Sequence, residues 1–161
     1  MKSAILATCF LAIGSQAVAL SCVRPDPIAT FQTVAAAPEP YFVLLGVLET
    51  GDSKLPPSIR NGGEGEPEPI SGYFRGKGLT KQGFTADFMR PLDLQIGCAG
   101  PWCGAAPGNV DAVFFVRADQ DPITAIAGPC GGMIFPNPDQ ATLDALTTCM
   151  QGGPCSAQTL Q

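Results

Sequence analysis

Apolar positions in this chain come in short runs divided by glycine, proline and charge, and the spacing inside the runs changes along the sequence. The first run, Ala4 to Ile13, follows a single lysine, Lys2, and gives way to Ala17-Val18-Ala19, small residues at the positions a signal peptidase reads. A run this short does not span a bilayer, and with these flanks it predicts a secretory signal peptide at 1–19, cleaved between Ala19 and Leu20. Lipid attachment at Cys22 is the lesser alternative, because the leucine usual three residues before such a cysteine is missing. In 22–37, CVRPDPIATFQTVAAA, the apolar positions Ile28, Phe31 and Val34 or Ala35 recur at helical spacing. Asp26 is a good N-cap for that helix, Pro27 suits its first position, and Pro38-Glu39-Pro40 ends it. Tyr41 to Glu49, YFVLLGVLE, is almost wholly apolar between Pro40 and Gly51. That predicts a central strand covered on both faces, with Gly46 as a bend or bulge.

Residues 50–69 break the pattern with four glycines, four prolines and six charges. They predict an exposed, mobile loop, in which Glu64, Glu66 and Glu68 are solvated rather than gathered around calcium, since that ion needs several converging oxygens. Strand-like runs then return at Ile70–Gly76, Gly83–Phe88 and Leu92–Cys98. Val110–Ala118 and Ile123–Ala127 follow, joined across Asp-Gln-Asp-Pro as a hairpin. Short strands at such intervals predict a small barrel or sandwich. The chain ends on a helix, with Asn137 as N-cap, Pro138 in the first turn, and Asp139 and Asp144 toward the positive end of the dipole. Leu143, Leu146 and Met150 form its apolar face, and Gly152-Gly153-Pro154 stops it.

Composition sharpens this picture in three ways. Cleavage removes Cys9 and leaves Cys22, Cys98, Cys103, Cys130, Cys149 and Cys155. An even count in an exported chain predicts a disulfide framework, and the exported context is periplasmic or extracellular. Loss of Lys2 leaves eight of nine basic residues against 14 acidic ones, a net charge of about −6, with no basic cluster along the chain. This argues against a nucleic-acid partner, whose affinity comes from phosphate neutralisation. There is no histidine. Ser-His-Asp and Cys-His catalysis, His-ligated metals and His-based proton transfer near neutral pH are therefore excluded.

The segment 98–104, CAGPWCG, has the tryptophan-before-cysteine look of a thioredoxin-type site. Such a site needs two cysteines two residues apart at a helix N-terminus, where the dipole lowers the attacking thiol's pKa. Here the spacing is wider and a strand follows, so Cys98 and Cys103 are expected to clip a loop, with Trp102 over the bridge. A thiol-disulfide redox protein using these two cysteines is the alternative. The carboxylates are scattered, the serines lack a nucleophile elbow, and the glycine-rich stretches lack phosphate-loop spacing. No catalytic residue, cofactor or metal is expected.

CVRPDPIATF resembles the opening of netrin-like modules, the group that includes the inhibitory domain of tissue inhibitors of metalloproteinases. Cys22-Val23, Pro25, Pro27 and Ala29 to Phe31 stand in the family's places, followed by Phe42-Val43, Gly46 and Leu48. Cys103-Gly104, Gly108 and Ala112 to Val116 are similar to its Cys-Gly segment leading into a strand, and Cys130 matches a later cysteine. The resemblance covers roughly 22–132. It implies an OB-like closed barrel of about five strands with an N-terminal and a C-terminal helix. It also implies a Cys22–Cys130 bridge, which leaves Cys98–Cys103 and Cys149–Cys155 as local clips; Cys22–Cys103 with Cys98–Cys130 is the rival pairing. The family's inhibitors chelate zinc through the amine and carbonyl of an N-terminal cysteine. Leu20 and Ser21 precede Cys22 here, so that activity is not carried over.

The expectation is one disulfide-bonded, mainly β domain at 20–161, a monomeric and non-enzymatic binding module for a protein or small ligand. Tyr73, Phe74, Arg75 and Phe84 form its candidate contact surface. No second stretch is long and apolar enough to cross a membrane.

Overall fold

A computed structural model describes residues 21–51 and 67–157. The expected signal peptide at 1–19 and most of the expected loop at 50–69 lie outside them. Two helices and eight strands follow one another along the chain: α1 (Pro27–Ala35), β1 (Tyr41–Glu49), β2 (Ile70–Thr80), β3 (Gly83–Ile96), β4 (Cys98–Ala99), β5 (Trp102–Cys103), β6 (Ala112–Arg117), β7 (Ile123–Ala127), β8 (Ile134–Pro136) and α2 (Gln140–Met150). The fold is mainly β.

The main sheet is ordered β1-β2-β3-β7-β6-β8, and β1 also pairs with β6, so five strands form a ring. Every pairing in it is antiparallel except β3 with β7, which is parallel. The ring explains why two runs are apolar at consecutive positions. In β6, Ala112, Phe114 and Val116 point inward to join Leu44, Leu48, Phe74, Leu92, Leu94, Ile96 and Ile123. Val113 and Phe115 point outward, against Val43 of β1, Ile28, Phe31 and Val34 of α1, and Leu146 and Cys149 of α2. Because side chains alternate across a strand, a strand with core on both faces has no polar positions left. β1 shares this arrangement, as its apolar pattern predicts.

Inside the ring Phe74 meets Phe114 edge-on, with centroids 5.3 Å apart, and Phe88 bridges Phe42 at 5.3 Å and Phe74 at 6.0 Å. Edge-to-face contact at such distances is the favoured aromatic geometry.

Several expectations are corrected. The runs at 83–88 and 92–98 belong to one 14-residue strand, β3, which passes through Pro91 and ends at Ile96. Proline is tolerated there because β3 is paired on one side only up to that point; β7 joins it from Leu92. Gly46 is not a bulge, since the β1–β2 register runs through it without a shift; it is also the last residue of β1 paired with β6. The irregularity lies instead between Gly78 and Leu79. The second helix is capped by Asp139, not Asn137: the Asp139 carboxylate accepts from the Thr142 N–H at 2.8 Å. Asn137 adopts a left-handed φ of 50° and belongs to the turn leading in. The expected strand at 110–118 is two residues shorter at its start and one at its end. β8 was not legible in the sequence. α1 is capped as expected, the Asp26 carboxylate accepting from the Ile28 and Ala29 N–H groups, each at 2.8 Å.

Candidate functional site

The helices cover only part of the outer face of the ring. Tyr41, Val43 and Leu45 of β1, Leu79 of β2 and Phe84 of β3 lie beneath them. Among the described residues neither helix covers Val47 and Glu49 of β1 or the outward side chains of β2 and β3 from Tyr73 to Lys77 and Asp87 to Pro91. Strand register sets the open part out in rows: Glu49, Tyr73 and Pro91; Val47, Arg75 and Met89; then Lys77 and Asp87. Tyr73 is 38% exposed and Met89 59%, and register sets them in adjacent rows of the same face. Arg75 organises the rows. Its Nε donates to Glu49 Oε2 at 3.1 Å and its guanidinium stacks 5.1 Å from the centre of the Tyr73 ring. Lys77 is paired with Asp87 across the β2–β3 ladder. All of these pairs are solvent-exposed, so they orient side chains more than they stabilise the fold.

Of the four residues expected to form a contact surface, the structure brings only Tyr73 and Arg75 together. Phe74 is wholly buried inside the ring. The period-2 alternation of Ser71-Gly72-Tyr73-Phe74-Arg75 contains that signal, because neighbours in a strand face opposite ways. Phe84 packs with Leu79, Leu143 and Leu146 under α2 and does not belong to the face either. Val47, Glu49 and Met89 complete the face. Only the register of three strands shows that they meet.

Positive charge is concentrated on one hairpin. Arg75, Lys77, Lys81 and Arg90, four of the six basic residues described, all lie on the β2–β3 hairpin. Arg75 and Lys77 have carboxylate partners; among the described residues Lys81 and Arg90 have none.

The segment CAGPWCG forms a small hairpin of its own. β4 and β5 place Cys98 opposite Cys103, joined by a disulfide, with Gly100 at φ 58° in the turn. Its base is pinned to the main sheet: Gly97 N–H donates to the Ala127 carbonyl at 3.0 Å and Gly104 N–H to the Gly97 carbonyl at 2.9 Å. Cys103 is buried, Trp102 is more than a third exposed, and no helix begins here. The other bridges are Cys22–Cys130, the pair that the netrin-like resemblance implies, and Cys149–Cys155, one of the two local clips that this pairing leaves.

Three groups with shifted ionisation lie away from this face. The hydrogen bonds between Arg117 and Asp119 raise the guanidinium pKa and lower that of the carboxyl. At α2, hydrogen bonds from Thr142 hold the Asp139 carboxyl below the ordinary carboxylate range. Among the described residues no group of cysteine, aspartate and glutamate side chains is placed to hold a metal ion. Comparison with protein-family models, curated proteins and solved structures finds no match for this chain.

Proposed function

We propose that this chain is an exported, non-enzymatic binding module of netrin-like type, built on an OB-like closed barrel, and that it works through the open face of β1, β2 and β3. The observation that carries this reading is the face itself: Tyr73 and Met89 stand exposed on the sheet, with Arg75 between them paired to Glu49. Aromatic, methionine and arginine side chains are the types enriched where proteins bind partners. The five-strand ring with its single parallel pairing is consistent with an OB-like barrel, a scaffold that uses the second and third strands for binding. Three disulfides fit an oxidising compartment outside the cytoplasm. With its Sγ in the bridge to Cys130, Cys22 has no thiol to carry a lipid. No helix among the described residues is long and apolar enough to cross a membrane.

The thiol-redox alternative has less support. Activation of a thiolate calls for a helix N-terminus or neighbouring cations, and Cys98–Cys103 has a two-residue hairpin instead. Two experiments separate the readings. A photo-crosslinking residue at Met89 in the exporting host is expected to give adducts, while the same residue at exposed Gln120, in the turn between β6 and β7, gives few. Insulin reduction by the purified mature protein is expected to show no turnover; turnover abolished by Cys103→Ser would overturn the binding reading.

A further inference from the structure

The long strand β3 has two unlike edges. One is paired with β2 from Gly83 to Leu94, with a single irregularity at Thr85. The other is paired with β7 only from Leu92 onward. Between Ala86 and Arg90, no strand among the described residues lies beside that second edge. An open edge offers a row of N–H and C=O groups that an extended chain can pair with. This one is bounded at both ends. Pro91, which lacks an N–H, closes one end, and α2 closes the other: Thr147 lies against Gly83, and Gln151 Nε2 donates to the Lys81 carbonyl at 2.7 Å. The window left open fits a strand of ordinary length, about five residues.

Charge specifies what fits. Arg90 stands at one end of the window, its guanidinium 6.0 Å from the Phe88 ring, and Lys81 stands in the turn beyond the other. Both lack a carboxylate partner among the described residues, and the chain as a whole carries a net charge of −5. An acidic segment is repelled by most of this surface and drawn to the hairpin. A nucleic acid fits less well, because the two cations are on the order of 20 Å apart along the strand with Asp87 between them, which is no phosphate track.

We propose that the open edge of β3 between Ala86 and Arg90 takes up an extended acidic peptide segment of a partner protein as an added strand. Carboxylates of that segment meet Arg90 and Lys81, and an apolar residue lies beside exposed Met89. The proposal rests on the binding-module reading and names its partner class.

The test uses the mature, disulfide-bonded protein and a randomised library of nine-residue peptides. Acidic residues about six positions apart, matching the separation of Arg90 and Lys81, are expected to be enriched among the binders. The tightest peptide should shift the backbone amide signals of residues 86–90. Its affinity should fall on the order of tenfold with Lys81→Glu/Arg90→Glu, and similarly when alternate peptide nitrogens of the ligand are methylated. An unchanged unfolding midpoint establishes that the variant is folded, and Arg90→Gln serves if the double variant is not. Absence of acidic enrichment overturns the proposal, as does an oligonucleotide that binds more tightly than every peptide. Shifts confined to Glu49, Tyr73, Arg75 and Met89 without sensitivity to methylation overturn strand addition but leave the sheet face standing. Insulin turnover would remove the binding reading itself.

Discussion

At Gly46 and Gly76 the chain depends on the absence of a side chain. The two residues face each other across β1 and β2, and a Cβ on Gly46 would lie 2.2 Å from the Arg75 carbonyl oxygen, one on Gly76 2.1 Å from that of Leu45. Both obstacles are backbone, so relief requires the strands to part. Gly46→Ala and Gly76→Ala are each expected to cost about 3 kcal/mol or more by urea unfolding, in the range of overpacking that cannot relax. Gly78→Ala, where the nearest atom is the Ala86 Cβ at 3.7 Å, should change stability by less than about 1 kcal/mol. Residue chemistry also sets an acid limb of stability. Because the folded state lowers the Asp139 pKa through its bonds from Thr142, the cap's contribution is full above the unfolded carboxylate pKa and is lost as pH falls through the lower folded value. Asp139→Asn keeps an acceptor but no titration. The gap in Tm between wild type and this variant should therefore narrow below the ordinary carboxylate range and hold constant above it, as calorimetry across pH would read.

Among the elements, β1 and β7 were legible to the residue, and α1 at its start, because local chemistry marks those ends: Asp26-Pro27 starts α1, Pro40 and Gly51 bracket β1, and Asp-Pro precedes Ile123. α1 stops at Ala35, before the expected Pro38. β3 was misread at Pro91 for want of a non-local fact, namely which edge of the strand has a neighbour there. β8 was missed because Ile134-Phe135-Pro136 is a strand only by pairing with Ala112–Phe114. For the same reason half of the contact face was invisible, since Val47, Glu49 and Met89 meet only through register. α2 shows how far an element depends on tertiary packing. It is short, and isolated helices of such length are marginal in water. Leu146, fully buried between α1 and the outer face of β6, holds it in place. Leu146→Ala is expected to cost about 2–4 kcal/mol and to raise amide exchange in 140–150 first, before the ring strands open.

Over the whole molecule, the three disulfides are not equivalent, because they close loops of very different length. Cys22–Cys130 spans 108 residues of sequence and ties the segment before α1 to the turn after β7, where Cys130 lies. Cys98–Cys103 and Cys149–Cys155 span five and six residues, each within a single local turn. If a bridge acts mainly by restricting the unfolded chain, the long one contributes about 5 kcal/mol and each short one about 2 kcal/mol. Packing reinforces that order. α1 buries Ile28, Phe31 and Val34 against β1 and β6, and Thr30 Oγ1 donates to the Gly132 carbonyl at 2.9 Å, so releasing the N-terminal segment loosens the layer that α2 also needs. Cys22→Ser/Cys130→Ser should therefore lower the guanidinium midpoint more than twice as far as Cys149→Ser/Cys155→Ser. It should also weaken protection of α2 along with that of α1. The rows Glu49–Tyr73–Pro91 and Val47–Arg75–Met89 lie beyond the helices on the ring itself, and their amides should keep most of their protection in the variant that has lost Cys22–Cys130. Equal losses in the two double variants would mean that the bridge restrains little of the unfolded chain, and that the two helices are held to the ring by their buried apolar contacts alone.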